Sequence, residues 1–350
     1  MKILYHMPSL STIYAGRTIY YGYKHAFEDL GHTFYTLTSD DNQEELFEKV
    51  NPDIFISSLS DYNLKFLDLK ILNNARKKGT KAFMSTHAWK SPMSKIRINE
   101  PYSLSGQKAK VSKIKNHQLG DVFFNPMEQG DERMEGFQKE TGYPHTTILL
   151  AADKTILYPE PQQKYRADIS FIGTYLPEKR KFIEEYVFPL RKHYNLRLYG
   201  QDWTSLERLK GFAQKIGQYF NIPYLKSFQK AQLALKEERQ VYSSSTICIN
   251  IHEEYQRRIG GDCNERTFKI PLCDGFEITD DVACIHKYFK EGKEIIIAKD
   301  ATDWFEKIAY FFKNPEKRLP IIRAGKKRVL QDHTYHNRIE QMIAIYNKIA

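Results

Sequence analysis

Residues 2–7, Lys2-Ile3-Leu4-Tyr5-His6-Met7, are a short apolar run; residues 8–17 read as a loop, and residues 18–30 carry apolar side chains at helical spacing. Gly31-His32 stops that helix, and Thr33-Phe34-Tyr35-Thr36-Leu37 resumes with β-type side chains. Strand, helix and strand at this spacing form a parallel pair joined by a crossover helix. The reading repeats outward: helix 44–50, turn Asn51-Pro52-Asp53, strand 54–57, helix 63–78 stopped by Gly79, and strand 81–85. Alternation returns with strand 121–125, helix 131–141 and strand 147–150.

Residues 153–166 are polar, with Pro159 and Pro161, and read as a linker. A second run follows: strand 168–172, helix 178–193, strand 196–199, helices 204–220 and 227–243, then strand 246–251. Helix 264–272, strands 275–279 and 295–297, helix 303–313 and closing helices 316–330 and 335–349 complete it. The pattern is two Rossmann-like halves in tandem, without internal repeats or low-complexity tracts.

The 350 residues are 41% hydrophobic and 27% charged, which excludes a disordered or collagen-like chain. No apolar run approaches the length of a membrane-spanning helix, and His6 and Pro8 interrupt the start before a signal-type apolar stretch develops. A soluble, cytoplasmic protein is expected. Cys248, Cys263, Cys273 and Cys284 show no CxxC and no zinc spacing, so reduced, buried thiols are expected. The net charge of +10 favours anionic partners: phosphorylated substrates, an anionic membrane face or nucleic acid. Residues 90–117 hold seven Lys or Arg against Glu100 alone, a solvated loop or a basic lip over an anionic acceptor.

In parallel sheets ligands sit outside the carboxyl ends of the strands. That rule nominates Gly173-Thr174-Tyr175, Gly200-Gln201-Asp202, Asn250-Ile251-His252 and residues 262–269 in the second half, and residues 8–17, 58–62, 87–89 and 125–128 in the first. Gly173, between a strand and a helix, lets backbone approach a phosphate, although such a glycine more often serves a structural turn. Neither GxGxxG nor GxxxxGK[ST] occurs, which disfavours hydride-transfer and P-loop enzymes. No Asp-x-Asp occurs either, so a bound diphosphate must be neutralised by basic side chains and helix N-termini, with no metal. Asn264-Glu265-Arg266 opens a helix: Arg266 offers a fork of hydrogen bonds to phosphate, or Asn264 is a plain cap with Glu265 and Lys269 paired on the surface.

The runs Val241–Asn250, Asn264-Glu265-Arg266-Thr267-Phe268 and Cys273-Asp274-Gly275-Phe276, with His333-Thr334-Tyr335 and Arg338, resemble the CgeB-like (spore-maturation-protein-like) glycosyltransferases. Residues 149–153, 167–173 and 198–203 fit the same pattern, so the likeness covers roughly 120–345. It implies a GT-B fold: two Rossmann-like domains facing across a cleft, an acceptor domain at 1–155, a donor domain at 156–332, and a final helix, 333–350, packing back on the first. It also implies transfer of a sugar from a nucleotide-sugar donor to an acceptor hydroxyl, metal-independent and without a further cofactor, in surface glycan or polysaccharide synthesis. The acceptor would be a glycan, a lipid-linked molecule or another hydroxyl, with peripheral association at an anionic inner membrane face.

Carried onto this chain, the likeness places Gly173 under the donor phosphates and lines the donor pocket with Asn250, Asn264, Glu265 and Arg266; Thr174, Gly200, Gln201 and Thr267 are further donor-binding candidates, and Arg266, with Arg180 or Lys269, would lower the charge on the departing diphosphate. Where the family has a Glu that resembles a ribose-gripping carboxylate, this chain has Lys269, which cannot accept ribose hydrogen bonds. Glu265 takes over the sugar contact, Lys269 meets extra negative charge, or donor binding has decayed. In the first half His87 stands where a general base belongs, with His6 and Asp61 as rivals and Arg17, Asp61 and Trp89 as acceptor contacts. The alternatives are a nucleic-acid (modified-base) glycosyltransferase or DNA-binding relative, and an inactive sugar- or nucleotide-binding homologue.

Overall fold

The computed structural model describes residues 1–90 and 103–350. They divide into two units: one of residues 1–149, 212–228 and 338–350, the other of residues 150–211 and 229–337.

The first unit holds β1 (Lys2–His6), β2 (Thr33–Leu37), β3 (Ile54–Ser58), β4 (Lys81–Ser85), β5 (Val122–Asn125) and β6 (His145–Thr147) in the order β2-β1-β3-β4-β5-β6. All neighbours are parallel, with Ile3 opposite both Phe34 and Ile54. Strands covered on both faces read as continuous apolar runs, and Phe55, Ala82, Met84 and Phe123 are accordingly buried in one core with Leu104 and Ile114. The order reverses between β1 and β3, which makes their carboxyl ends the switch point of this sheet.

The second unit holds β7 (Ala167–Ile172), β8 (Leu196–Tyr199), β9 (Ser245–Asn250), β10 (Glu277–Asp280) and β11 (Ile296–Ala298) in the order β11-β10-β9-β7-β8, again all parallel. Ile169, Phe171, Ile247, Ile249, Phe276 and Trp304 fill its core. Its switch point lies between β7 and β9, so Gly173 and Asn250 stand at the same carboxyl edge.

Several elements differ from the sequence reading. The span 131–141 is broken at Gly136 (φ 93°), leaving a turn at Glu132–Met134 and a helix at Phe137–Thr141. The span 178–193 starts as the helix Pro177–Phe182, widens over Ile183–Val187 and tightens over Phe188–Lys192, where Pro189 has no N–H to donate. The span 63–78 is two helices, because the Asp68 carboxylate caps a fresh start by accepting from Lys70 N (2.7 Å) and Ile71 N (3.3 Å).

Residues 153–166 are no free linker. Ala152 exchanges backbone hydrogen bonds with His333 and Tyr335, and Arg239 binds Glu160 and the Ile156 carbonyl. Residues 212–228, placed by sequence in the second half, group with the first unit: Gln214 reaches Ser11 O, and Lys226 pairs with Asp40.

Part of the basic stretch 90–117 is helical, Lys108–Lys115, and Lys110 is buried. Its ammonium donates to Leu59 O (2.7 Å) and Asp61 Oδ1 (2.9 Å), so this lysine anchors the helix and is no part of a basic lip. Lys95 and Arg97 lie outside the described residues. Among the described residues no helix is long and apolar enough to cross a membrane.

Candidate functional site

At the carboxyl edge of the second sheet, β9 ends on Asn250, whose buried amide is a hub. Its Nδ2 donates to Thr267 Oγ1 (3.1 Å) and Glu277 Oε1 (2.8 Å). Its Oδ1 accepts from Asn264 Nδ2 (3.0 Å) and Arg266 Nε (3.0 Å). Arg266 opens the helix Arg266–Leu272, and its Nη2 donates to Ile251 O (2.8 Å). These bonds fix the guanidinium plane while Nη1 carries no protein partner among the described residues. An arginine held by one edge, half-buried, is pre-set to receive an anion on the other.

Phe171 links this group to β7. The Arg266 Cζ lies 5.5 Å from its ring centroid, and a Cβ at Gly173 would come within 2.5 Å of its Cζ atom. Gly173 and Arg266 therefore flank one ring at one strand edge. Gly173 N donates to Tyr199 O, and Tyr175 N to Gln201 O, tying the β7 and β8 loops together. Gly200 has φ 121°, and a Cβ there would lie 2.2 Å from Gly173 O, so only glycine fits. Arg180, half-buried, stacks over the Tyr175 ring (5.3 Å), which stacks in turn on Trp203 (5.0 Å). Gln201 is buried and accepts from Gln229 Nε2 (3.1 Å), which makes it a loop brace. Thr174 is half-buried in the same loop.

Three of the sequence candidates turn inward instead. Glu265 is buried and accepts from the Tyr335 hydroxyl. Thr267 is buried between Asn250 and His252. Lys269 is buried between Glu238 (3.1 Å) and Glu265 (3.4 Å). Burial works against its charge, yet the two carboxylates hold its pKa above the ordinary lysine value. Neither a surface Glu265–Lys269 pair nor a lysine reaching for a ligand is present, because both side chains sit on the packed face of the helix.

Sequence reasoning missed the groups behind this edge. Glu277 begins β10 and is wholly buried; desolvation pushes its carboxyl up to about 8, against the Asn250 hydrogen bond and the Arg266 charge. Asp280 ends β10 and accepts from His252 N (2.9 Å) and pairs with His252 Nδ1 (2.6 Å) and Arg257 (3.1 Å). Burial holds His252 below the usual histidine range despite Asp280, and His252 and Arg257 hold Asp280 below the usual carboxylate range against its own burial. The available signal was two acids bracketing the short run Glu277-Ile278-Thr279-Asp280. Among the described residues, no group of three or more His, Cys, Asp or Glu is placed to hold a metal ion.

In the first unit, His6 closes β1 at the switch point, its Nδ1 2.9 Å from Ser57 Oγ of β3. It is buried, and desolvation drops its pKa to about 4. His87 is half-buried beyond β4, its pKa lowered by desolvation and by Lys110. Asp61 pairs with Lys110 through an otherwise exposed carboxylate. Arg17 is half-buried in the first turn of the helix Ala15–Asp29. Trp89 is a core residue, edge-on to Phe137 at 5.6 Å with its Nε1 against Gly136, and no surface is left for an acceptor contact.

Residues 179–344 match the family model described as glycosyl transferase-like. Spore protein CgeB of Bacillus subtilis (strain 168) is 23% identical over 193 residues, 53% of this chain and 56% of that protein. The match thus spans about half the length of this curated relative. Among solved structures, sucrose-phosphate synthase of Thermosynechococcus elongatus superposes with a TM-score of 0.61 at 12% identity, covering 100% of this chain and 99% of its own. An alpha-glucosyltransferase in complex with UDP and a 13-mer DNA gives 0.64 at 12%, with 99% of each chain covered. Anabaena HepE in complex with UDP and glucose gives 0.61 at 11%, with 99% of each covered. The chain's two parallel sheets are the GT-B fold, and over residues 179–344 it carries the sequence pattern of the glycosyl transferase-like family.

Proposed function

We propose that the protein is a glycosyltransferase that binds a nucleotide-sugar donor at the carboxyl edge of β7 and β9. One observation carries this: Arg266, locked by Asn250 and Ile251, presents a free guanidinium edge beside the Gly173 turn at the switch point of the second sheet. As the sugar leaves, negative charge grows on the diphosphate oxygen. A fixed cation aimed at that charge lowers the barrier without reorganising. Asn264, Thr174 and Arg180 border the same edge, and backbone at Gly173 approaches without a side chain in the way. Lys269 takes no part in the donor site, because Glu238 and Glu265 hold it in the interior.

The UDP-bound alpha-glucosyltransferase and HepE solved with UDP-glucose share this fold, which supports a uridine diphosphate sugar as the first donor to test. For the acceptor hydroxyl, His87 is proposed as the base. Desolvation and Lys110 keep its imidazole neutral at neutral pH, the form that accepts a proton. A thermal-shift panel of UDP-, GDP-, dTDP-, ADP- and CMP-sugars, with and without EDTA, tests the reading. Stabilisation by one nucleotide class, unchanged by EDTA, is expected. Silence across the panel overturns the donor site, and a response abolished by EDTA overturns its metal independence.

A further inference from the structure

Glu277 is a buried acid directly behind the Arg266 edge. It begins β10, opposite Cys248 of β9, in a strand buried along its whole length. Such strands are ordinarily apolar, and a buried acid carries a desolvation cost that its hydrogen bonds have to offset. Glu277 makes one: Oε1 accepts from Asn250 Nδ2 (2.8 Å), while Oε2 has no hydrogen-bond partner among the described residues.

Asn250 carries that bond forward. An arginine only donates, so the amide has to turn its oxygen toward Arg266 Nε and Asn264 Nδ2, each at 3.0 Å. Its NH2 then faces the interior and needs two acceptors. Thr267 Oγ1 (3.1 Å) takes one hydrogen and Glu277 Oε1 the other. Removing the Glu277 carboxyl orphans an N–H of a fully buried amide and loosens the group that fixes Arg266.

The charge on Glu277 matters as much as its bond. Arg266 faces it from the helix Arg266–Leu272, Cys248 from β9 and Asp280 from its own strand, while the helix Ala301–Lys313 meets the sheet with apolar Trp304 and Ile308. Asp280 is ionised and offset by His252 and Arg257, and burial pushes the Cys248 thiol up to about 12. Neither changes charge around neutrality, and Arg266 stays protonated. Desolvation keeps a proton on Glu277 up to about pH 8. Below that pH Glu277 adds no charge behind Arg266; above it, a carboxylate one amide away draws on the same guanidinium.

We propose that Glu277 is a positioning residue for the donor site: it orients the Asn250 amide that sets Arg266, and its uncharged form leaves the guanidinium to the diphosphate. The link to the donor rests on the function proposed above; the link to Arg266 does not.

Carbon-detected NMR of the arginine Nε–Cζ pairs reads the link to Arg266 without any ligand, with Arg266→Ala identifying the resonance. In the native protein that signal should shift with a midpoint near pH 8, and in Glu277→Gln it should stay fixed. Calorimetric titration of UDP-glucose at pH 6.5 and pH 9 reads the link to the donor. Native affinity should fall by roughly fivefold between the two, and Glu277→Gln should flatten that dependence. Glu277→Leu, which offers Asn250 no acceptor, should bind about tenfold more weakly than Glu277→Gln at both pH values. Thermal unfolding shows whether Glu277→Leu is folded; if it is not, the native protein and Glu277→Gln decide. An Arg266 signal that ignores pH in the native protein, or follows it equally in Glu277→Gln, overturns the proposal. Donor affinity that does not change with pH, or that a folded Glu277→Leu keeps in full, overturns it too. If the signal titrates as expected but the native protein binds no UDP-glucose, the donor reading falls and the hold of Glu277 on Arg266 stands.

Discussion

Lys269 and Glu277 show how far a side chain's setting decides its role. Lys269 neutralises two buried carboxylates, Glu238 and Glu265. Substituting Lys269→Glu would bring three acids together, and removing one partner of a buried pair costs about 3–5 kcal/mol. Chemical denaturation should show a loss of that order for Lys269→Met, which strips the cation from two buried acids, and a larger one for Lys269→Glu, with no gain in sugar transfer. Glu277 makes a pH prediction. Its folded carboxyl holds a proton up to about pH 8, whereas the unfolded one releases it near 4.5. Stability from this group is therefore full below 4.5 and is lost as pH rises from 4.5 to 8. The Glu277→Gln variant keeps the Asn250 contact but not the titration. Its stability relative to the native protein should climb across that window by up to about 1.4 kcal/mol per pH unit. A difference that stays flat would mean that Glu277 is ionised in the folded protein.

At the scale of elements, the turns after β7 and β8 act together. Gly200, at φ 121° and against the Gly173 carbonyl, permits both loops to close over the strand ends. Gly200→Ala should destabilise by about 2–5 kcal/mol through backbone strain and overpacking. Urea unfolding would register it as a lower midpoint, and an unchanged midpoint would contradict the close approach. The strands and most helices were legible in the sequence because buried parallel strands are continuous apolar runs and helices repeat at 3.6 residues. Interrupted elements were not: Gly136 and Pro189 break spans whose apolar periodicity runs straight through. The Asn250, Asn264 and Arg266 cluster was also legible, since polar residues at a strand end and a helix start converge by topology alone. The inward turn of Glu265, Thr267 and Lys269 was not, because their burial depends on Glu238, Tyr335 and His252, distant in sequence.

For the whole molecule, the second unit carries the Arg266 edge and most of the residues of the family match. A surplus of ten positive charges suits the proposed diphosphate-bearing donor and raises its encounter rate. The most direct measurement of the central claim is calorimetric titration of UDP and UDP-glucose into the native protein and into Arg266→Ala. The native protein should bind. Losing one charge-assisted contact should weaken binding by about 10–100-fold, while denaturation confirms that the variant is folded. Native protein that binds neither ligand, or a folded Arg266→Ala that binds them as tightly, would contradict the account.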